Sequence, residues 1–416
     1  MSKRLRIVFV DDQPQVAQSA ADQLPQSVKD SADIEVLQLA DVTAEVNSLF
    51  RRYRLFLDGK SFAEAQAEHA SRFDGADLLI LDYDLKNTSD GGEWASGLEV
   101  ARTARAFTTA LSVVLLNQFR STSRFDLTMT EGRSSFADLD IPRLQLSNPG
   151  LWSGAALEGF RPWSWPNLLL EPSRFQLLAG WVADNIDRPV LDALSLNTGA
   201  KAEDDPVNTI PRESWAMAMS SPDTTFRQLI EKAGFVPPHD SEQLMNDPDA
   251  APRIAASVFA HWFDRYLCLA QDVFVDTAHL AHLAPWLLKD PTSMDLRAQA
   301  SSLELKAADV FLDDVKKFML EPNFISSRRL FRYNAIQADR ALAKPAGFSF
   351  SSMPDVVFCE DVSNFIHRKL ALPFPSLLPG GYSVRFVCNQ DEFRDDLPEV
   401  QNPHKVDYAP QSLFAL

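Results

Sequence analysis

Leu5-Arg6-Ile7-Val8-Phe9-Val10-Asp11-Asp12 and Ala76-Asp77-Leu78-Leu79-Ile80-Leu81-Asp82-Tyr83-Asp84 are two apolar runs, each closed by acidic residues. Short continuous apolar runs rich in Val, Ile and Leu predict strands buried on both faces, the pattern of a parallel sheet. Each run then delivers carboxylates at its C-terminal end, the edge of an open α/β sheet where ligands bind. Three carboxylates converging there offer hard oxygen donors suited to Mg²⁺, and one of them can also serve as a phosphoryl acceptor.

Working outward, strands alternate with helices. Residues 5–10 read as strand one, and a helix begins at Gln13-Pro14, where Pro is tolerated in the first turn, and runs to about Val28. Residues 33–39 read as strand two, 42–72 as helical and 77–82 as strand three. A polar, Gly-containing loop over 87–92 leads into a helix over 93–107. Residues 111–117 read as strand four and 143–147 as strand five. This order predicts an α/β fold with a five-stranded parallel sheet and right-handed crossovers, covering residues 1–195.

Residues 149–172 break the rhythm. Pro149-Gly150-Leu151-Trp152 and Phe160-Arg161-Pro162-Trp163-Ser164-Trp165-Pro166 exclude a long helix and carry aromatics that need burial. They read as a clasp between the last strand and a helix over 173–186. Residues 196–211 are polar and Pro-punctuated, the best linker candidate. Residues 212–416 read as a mostly α-helical domain with helices over 213–219, 224–233, 252–273, 277–288, 293–319 and 326–342. It ends in a small α/β segment, with strands over 355–359 and 382–388 and a helix over 362–370.

Bulk composition sets the outer limits. A chain of 416 residues with 45% hydrophobic and 23% charged residues is long enough for two or three domains with their own cores. A net charge of −17 argues against broad nucleic-acid binding and against docking to anionic lipid. The three cysteines, Cys268, Cys359 and Cys388, are odd in number and far apart, which disfavours a disulfide framework. The apolar stretch behind Met1-Ser2-Lys3-Arg4 is too short for a signal peptide, and no apolar run reaches the length of a membrane span. The expectation is a soluble cytoplasmic protein.

With these residues in place, the first domain resembles the receiver domain of bacterial response regulators over roughly residues 4–190. Asp11-Asp12, followed by Gln13-Pro14, matches the family's acidic pair after strand one. Asp82 in Leu79-Ile80-Leu81-Asp82-Tyr83-Asp84-Leu85 matches its phosphoacceptor at the end of strand three. Ser96-Gly97-Leu98-Glu99-Val100-Ala101-Arg102 resembles its Gly-Leu-Glu helix start, and Val113-Val114-Leu115-Leu116 its fourth strand. The likeness also has departures. Asn117 stands where the family has a switch Thr or Ser, and Asn148-Pro149 where it has Lys-Pro after strand five. Asp12 and Asp82 lie 70 positions apart (82 − 12), so the insert between strands two and three is large. Asn117 can still donate through its amide, and Arg120 or Arg124 can supply positive charge. The Trp-rich segment 160–166 resembles that of divergent receivers in bacterial conflict and phage-defence operons.

What the resemblance implies is a response-regulator-type signalling protein. Mg²⁺ is held by Asp11, Asp12 and Asp82, with Asp84 adding a backbone carbonyl. Asp82 accepts the phosphoryl group, and Asn117 and Asn148 contact it. The donor is a histidine kinase or kinase-like ATPase, and the C-terminal domain engages protein partners; separately, the acidic charge balance argues against nucleic acid and the lack of a long apolar run against a membrane. Two alternatives stay open: a phosphorylation-independent pseudo-receiver scaffold, and a Mg²⁺-dependent phosphatase of haloacid-dehalogenase type. In the latter, Asp82-Tyr83-Asp84 supplies nucleophile and acid, although Lys86 stands where that motif has Thr or Val.

Other constellations read more simply as structure. His279 and His282 are one helical turn apart, with Asp276 and His261 as additional ligands for a metal, but the Glu of a His-Glu-x-x-His site is missing. Val356-Val357-Phe358-Cys359-Glu360-Asp361 with His367 suggests a Cys–His nucleophile, against the simpler reading of a buried strand Cys. Arg328, Arg329, Arg332 and Arg340 form the densest basic stretch, without a helix-turn-helix pattern around it.

Overall fold

The computed structural model describes residues 4–85, 96–117, 137–147, 152, 173–196, 219–232, 241–268, 271–293, 313–326, 328–359, 364–373 and 385–388. Strands β1 (Leu5–Val10), β2 (Ala32–Val36), β3 (Leu78–Asp82) and β4 (Ser112–Asn117) form a parallel sheet in the order β2-β1-β3-β4. The N-terminal part is therefore α/β, as the apolar runs predict. A short segment, β5 (Leu139–Pro142), lies parallel along the outer side of β4.

Both faces of the sheet are buried, and the strand period of two divides their side chains between two cores. Val8, Val10, Leu79, Leu81, Val113 and Leu115 face one core, packed under α3 (Leu39–Leu57) and α5 (Gly97–Phe107). Ile7, Phe9, Leu78, Ile80, Val114 and Leu116 face the other, with α1 (Pro14–Asp22), Leu146 and Trp152.

Three local features differ from the sequence reading, each for a stated reason. The first helix stops at Asp22, and Pro25 starts a separate short helix, α2 (Gln26–Ser31), because proline cannot donate to the preceding turn. The helical stretch expected over 42–72 divides at Gly59, which adopts φ +95°. There Gly59 N donates to Phe56 O and Lys60 N to Leu55 O, the paired bonds of a Schellman stop, before α4 (Phe62–Glu68) begins. Residues 143–147, expected as strand five, form a 3₁₀ turn instead. Their alternating Arg-Leu-Gln-Leu-Ser pattern mimics a strand, but Leu146 anchors the turn in the core, and its carbonyl accepts from Trp152 Nε1 at 2.8 Å.

Beyond the sheet lie α6 (Arg174–Asp184), α7 (Val190–Ala193), α8 (Phe226–Lys232), α9 (Ser241–Asn246) and α10 (Ala250–Trp262). Their apolar faces, including Phe175, Phe226, Ile254 and Phe259, join the same core as α3 and α5. Next come β6 (Phe274–Asp276), α11 (Thr277–Leu283), β7 (Leu330–Arg332) and α12 (Tyr333–Ala338), with β6 and β7 antiparallel. A second sheet has the order β10-β11-β8-β9, from β8 (Val356–Cys359), β9 (Asn364–His367), β10 (Ala371–Pro373) and β11 (Phe386–Cys388).

Two expected helices are corrected here. Residues 362–370 contain β9 and a 3₁₀ turn, and the stretch 326–342 contains β7 before its helix. Both are short apolar runs that periodicity alone cannot assign, and pairing with β8 and β6 decides them. The linker at 196–211, the helix at 213–219 and most of the clasp and of the helix at 293–319 fall outside the described residues.

One buried carboxylate ties the two halves together. Asp247 Oδ2 accepts from Phe62 N at 2.9 Å, while its Oδ1 accepts from Ala250 N at 2.8 Å and Asp249 N at 3.0 Å. Asp247→Ala strands the buried N–H donors of Phe62 and Ala250 and should cost about 1–3 kcal/mol, read as a lower midpoint in urea or thermal unfolding. An unchanged midpoint would show that the contact contributes nothing.

Candidate metal centre

Strand register builds the site. Val10 pairs with Leu81 across the parallel β1–β3 ladder, so the next residues, Asp11 and Asp82, emerge side by side at the C-terminal edge. Asp12 follows on the same turn. Ligand oxygens of Asp11, Asp12 and Asp82 all lie within 4.8 Å of one another. Asp11 is 5% exposed and Asp82 4% exposed, while Asp12 is half-buried.

Both strands end in the same device. Asp11 Oδ1 accepts from Gln13 N at 2.7 Å, and Asp82 Oδ2 accepts from Asp84 N at 3.1 Å. Each is an Asx turn, a side-chain bond two residues on that bends the chain away while holding the carboxylate at the rim.

Helix α5 closes over this edge. Ser96 caps it, with its side chain accepting from Glu99 N and Glu99 Oε2 accepting from Ser96 N at 2.9 Å. Gly97 N donates to Tyr83 O at 2.8 Å. A Cβ on residue 97 would lie 2.0 Å from the Asp82 carbonyl oxygen. The Gly of the Gly-Leu-Glu start is thus a steric requirement: only a residue without a side chain lets the helix seat on the strand that carries Asp82.

Packing three acids at a partly desolvated edge has an electrostatic consequence. The Asp11 carboxyl is pushed up from its ordinary 3.8 to about 7, first by burial and then by the neighbouring charges of Asp82 and Asp12. The bond from Gln13 N and the charge of Arg143 oppose the rise.

Arg143 is the residue that the sequence reading missed. With the edge segment at 139–142 rather than 143–147, Arg143 is the first residue after β5. It is half-buried, its charge reaches Asp11, and its Nε has no hydrogen-bond partner among the described residues. Its signal in the sequence is Leu139-Asp140-Ile141, a short apolar alternation stopped by Pro142 and followed at once by the longer alternating run at 143–147.

The remaining expected site residues divide. Asn117 ends β4, one residue beyond the Leu116 that pairs with Asp82. Asp84 is half-buried and its carboxylate is not part of the cluster. Asn148, Arg120 and Arg124 lie outside the described residues.

The competing constellations resolve into structure. His279 is buried, with Nδ1 2.8 Å from Asp276 Oδ1 and its ring edge-on to Phe358 at 5.3 Å. Arg328 Nη1 takes the other Asp276 oxygen at 2.8 Å, making a buried ion network, and Asp276 also caps α11 through His279 N. These charges hold the Asp276 carboxyl well below the ordinary range against the opposing effect of burial. His279, His282, Asp276 and His261 form no metal-ligand group; among the described residues the three aspartates alone do. Cys359 pairs with Asn364 and His367 with Val356, so the expected Cys and His sit at opposite ends of one hairpin ladder. Arg332 donates to the Leu194 carbonyl at 2.6 Å, so the basic stretch is partly consumed internally. No helix among the described residues is long and apolar enough to cross a membrane.

Comparison with protein-family models, curated proteins and solved structures returns no significant match.

Two outcomes follow from this geometry. The Asp11 value is higher folded than unfolded, so the metal-free protein loses stability as pH rises from about 4 to about 7. Asp11→Asn keeps an acceptor for Gln13 N and should stabilise the metal-free protein, with a gain that grows across that window and is flat above it. A gain independent of pH in urea melts would contradict the stated cause. Gly97→Ala should cost about 1–3 kcal/mol through overpacking against the Asp82 carbonyl; thermal unfolding reads it, and an unperturbed midpoint would contradict the tight seating.

Proposed function

We propose that the N-terminal part is an atypical receiver-like domain of flavodoxin-like design, with β5 as the fifth strand of its sheet. In this reading Asp11, Asp12 and Asp82 hold one Mg²⁺, Asp82 accepts a phosphoryl group, and the C-terminal part relays the state to protein partners. The observation that carries the reading is the convergence of three carboxylates, two of them buried, at the crevice between β1 and β3. In a sheet of order 2-1-3-4-5 that crevice is the switch point where ligands bind.

The donor set fits the cation. Mg²⁺ favours a few carboxylate oxygens with water completing the shell, and a buried Asp11 whose carboxyl is held up first by burial and then by the charges of Asp82 and Asp12 is a site that a divalent ion relieves. When bound, the ion supplies charge neutralisation for an incoming phosphoryl group. Asp82 brings an oxygen to phosphorus; its P–O bond forms as the P–N bond of a phosphohistidine donor breaks, with the electron pair leaving on the imidazole. Arg143 supplies the cation that the resemblance assigns to a Lys after strand five, and its guanidinium suits phosphoryl oxygens. Asn117 supplies an amide donor in place of a hydroxyl. The donor protein is a histidine kinase or kinase-like ATPase.

Mg²⁺ at about a hundred times its dissociation constant should stabilise the full chain by about 2.7 kcal/mol, read as a rise in melting temperature. Asp82→Asn should abolish the rise. Beryllium fluoride, a phosphoryl mimic, should bind only with Mg²⁺ present, and Arg143→Ala should retain the metal response while losing the mimic. Absence of any Mg²⁺ response in the wild type would overturn the reading. Metal binding without mimic binding would leave a pseudo-receiver scaffold in its place.

A further inference from the structure

Helix α5 touches the acid site at one end and the second half of the chain at the other. At its start, Gly97 is bonded to the Tyr83 carbonyl at 2.8 Å and leaves no room against Asp82. Near its end, Arg105 is 1% exposed. There Arg105 Nη2 meets Asp138 Oδ2 at 2.5 Å, Nη1 donates to Leu111 O at 3.0 Å, and the guanidinium lies 3.8 Å over the Phe175 ring of α6. Arg253 of α10 approaches the same ring at 5.9 Å and donates to the Arg105 carbonyl at 3.4 Å. The helix is a rigid rod of about 15 Å between the two ends.

The far end joins one firmly anchored guanidinium to one weakly bonded one. Two guanidinium groups meet at one ring. Arg105 is held by Asp138, which also accepts from Val113 N at 2.7 Å. The guanidinium of Arg253 makes a single long hydrogen bond among the described residues, and its Nε is buried without one. Burial and then the charge of Arg105 push the Arg253 value down to about 10. Like charges in a poorly solvated place respond steeply to small changes in separation. A shift of α5 against β3 therefore changes the energy of this junction more than that of an ordinary apolar contact.

We propose that α5 is the output arm of the acid cluster and that its partner is the chain's own helical half: ion and phosphoryl occupancy at Asp11, Asp12 and Asp82 is delivered through Gly97–Phe107 to Arg253 and α10. The proposal rests on the metal reading above. In it, Arg253 and Arg105 are positioning residues for signal output, and neither touches the site.

Hydrogen exchange on the full chain tests this, beside a separate calorimetric titration of Mg²⁺. Addition of Mg²⁺ with beryllium fluoride should change amide exchange in Ala250–Trp262 and Arg174–Asp184 by about fivefold or more, the low end of ordinary coupling between sites. Arg253→Met keeps most of the stem but not the charge, and should remove that response while still binding Mg²⁺ in the titration. Arg253→Lys keeps a charge and should retain part of the response, which separates lost coupling from lost folding. If Mg²⁺ and the mimic bind and exchange in α10 is unchanged, the output proposal is wrong and the metal reading stands. If the titration shows no Mg²⁺ binding, both are wrong.

Discussion

The convergence of three carboxylates, two of them buried, at one sheet edge is the constraint around which this domain is arranged. Two of them are fixed by strand register: pairing of Val10 with Leu81 leaves Asp11 and Asp82 no way to avoid each other. A fold that only needed stability would not place acids there, because each desolvated carboxylate raises the cost of ionising the next. The rise of Asp11 to about 7, driven first by burial and then by Asp82 and Asp12, expresses that cost. Such conflicts between local preference and global packing collect at functional sites.

The surroundings hold the conflict in place. Twin Asx turns at Gln13 and Asp84 orient the carboxylates, and the two-sided apolar sheet fixes the strands beneath them. Gly97 seats α5 on the Asp82 backbone. Arg143 brings the compensating charge from the edge of the sheet. The helical half shares the core under α3 and α5, so the acid edge and the helices beyond are mechanically continuous rather than beads on a string.

Much of this was legible in the residues. The runs Ile7–Val10 and Leu78–Leu81 are apolar throughout, the pattern of strands buried on both sides, and the acids that follow them are set by the same register. Ser96-Gly97-Leu98-Glu99 was legible only as a likeness to the family's helix start, inside a helix drawn over 93–107; the capping box and the close approach of Gly97 appear with the structure. The strand edge near Arg143 was not, because Leu139–Pro142 is too short to outweigh the alternating run behind it. The assignment of β7 and β9 needed pairing partners far along the chain, which local periodicity does not contain. In sequence, Asp276, His279 and His282 read as a helix edge carrying His, with a metal site as the lesser alternative, and Arg328 stood apart from them. Asp276 and His279 read as a buried ion cluster once Arg328 arrives from 52 positions away to share the Asp276 carboxylate.

The most direct test of the central claim is a crystal grown with Mn²⁺, a stand-in for Mg²⁺ that is located by anomalous scattering. The account predicts one strong peak at the C-terminal edge of β1 and β3, at about 2.0–2.3 Å from an oxygen of Asp82 and from one of Asp11 or Asp12. An acid cluster without a peak under saturating Mn²⁺, or with the ion bound only elsewhere, would contradict it.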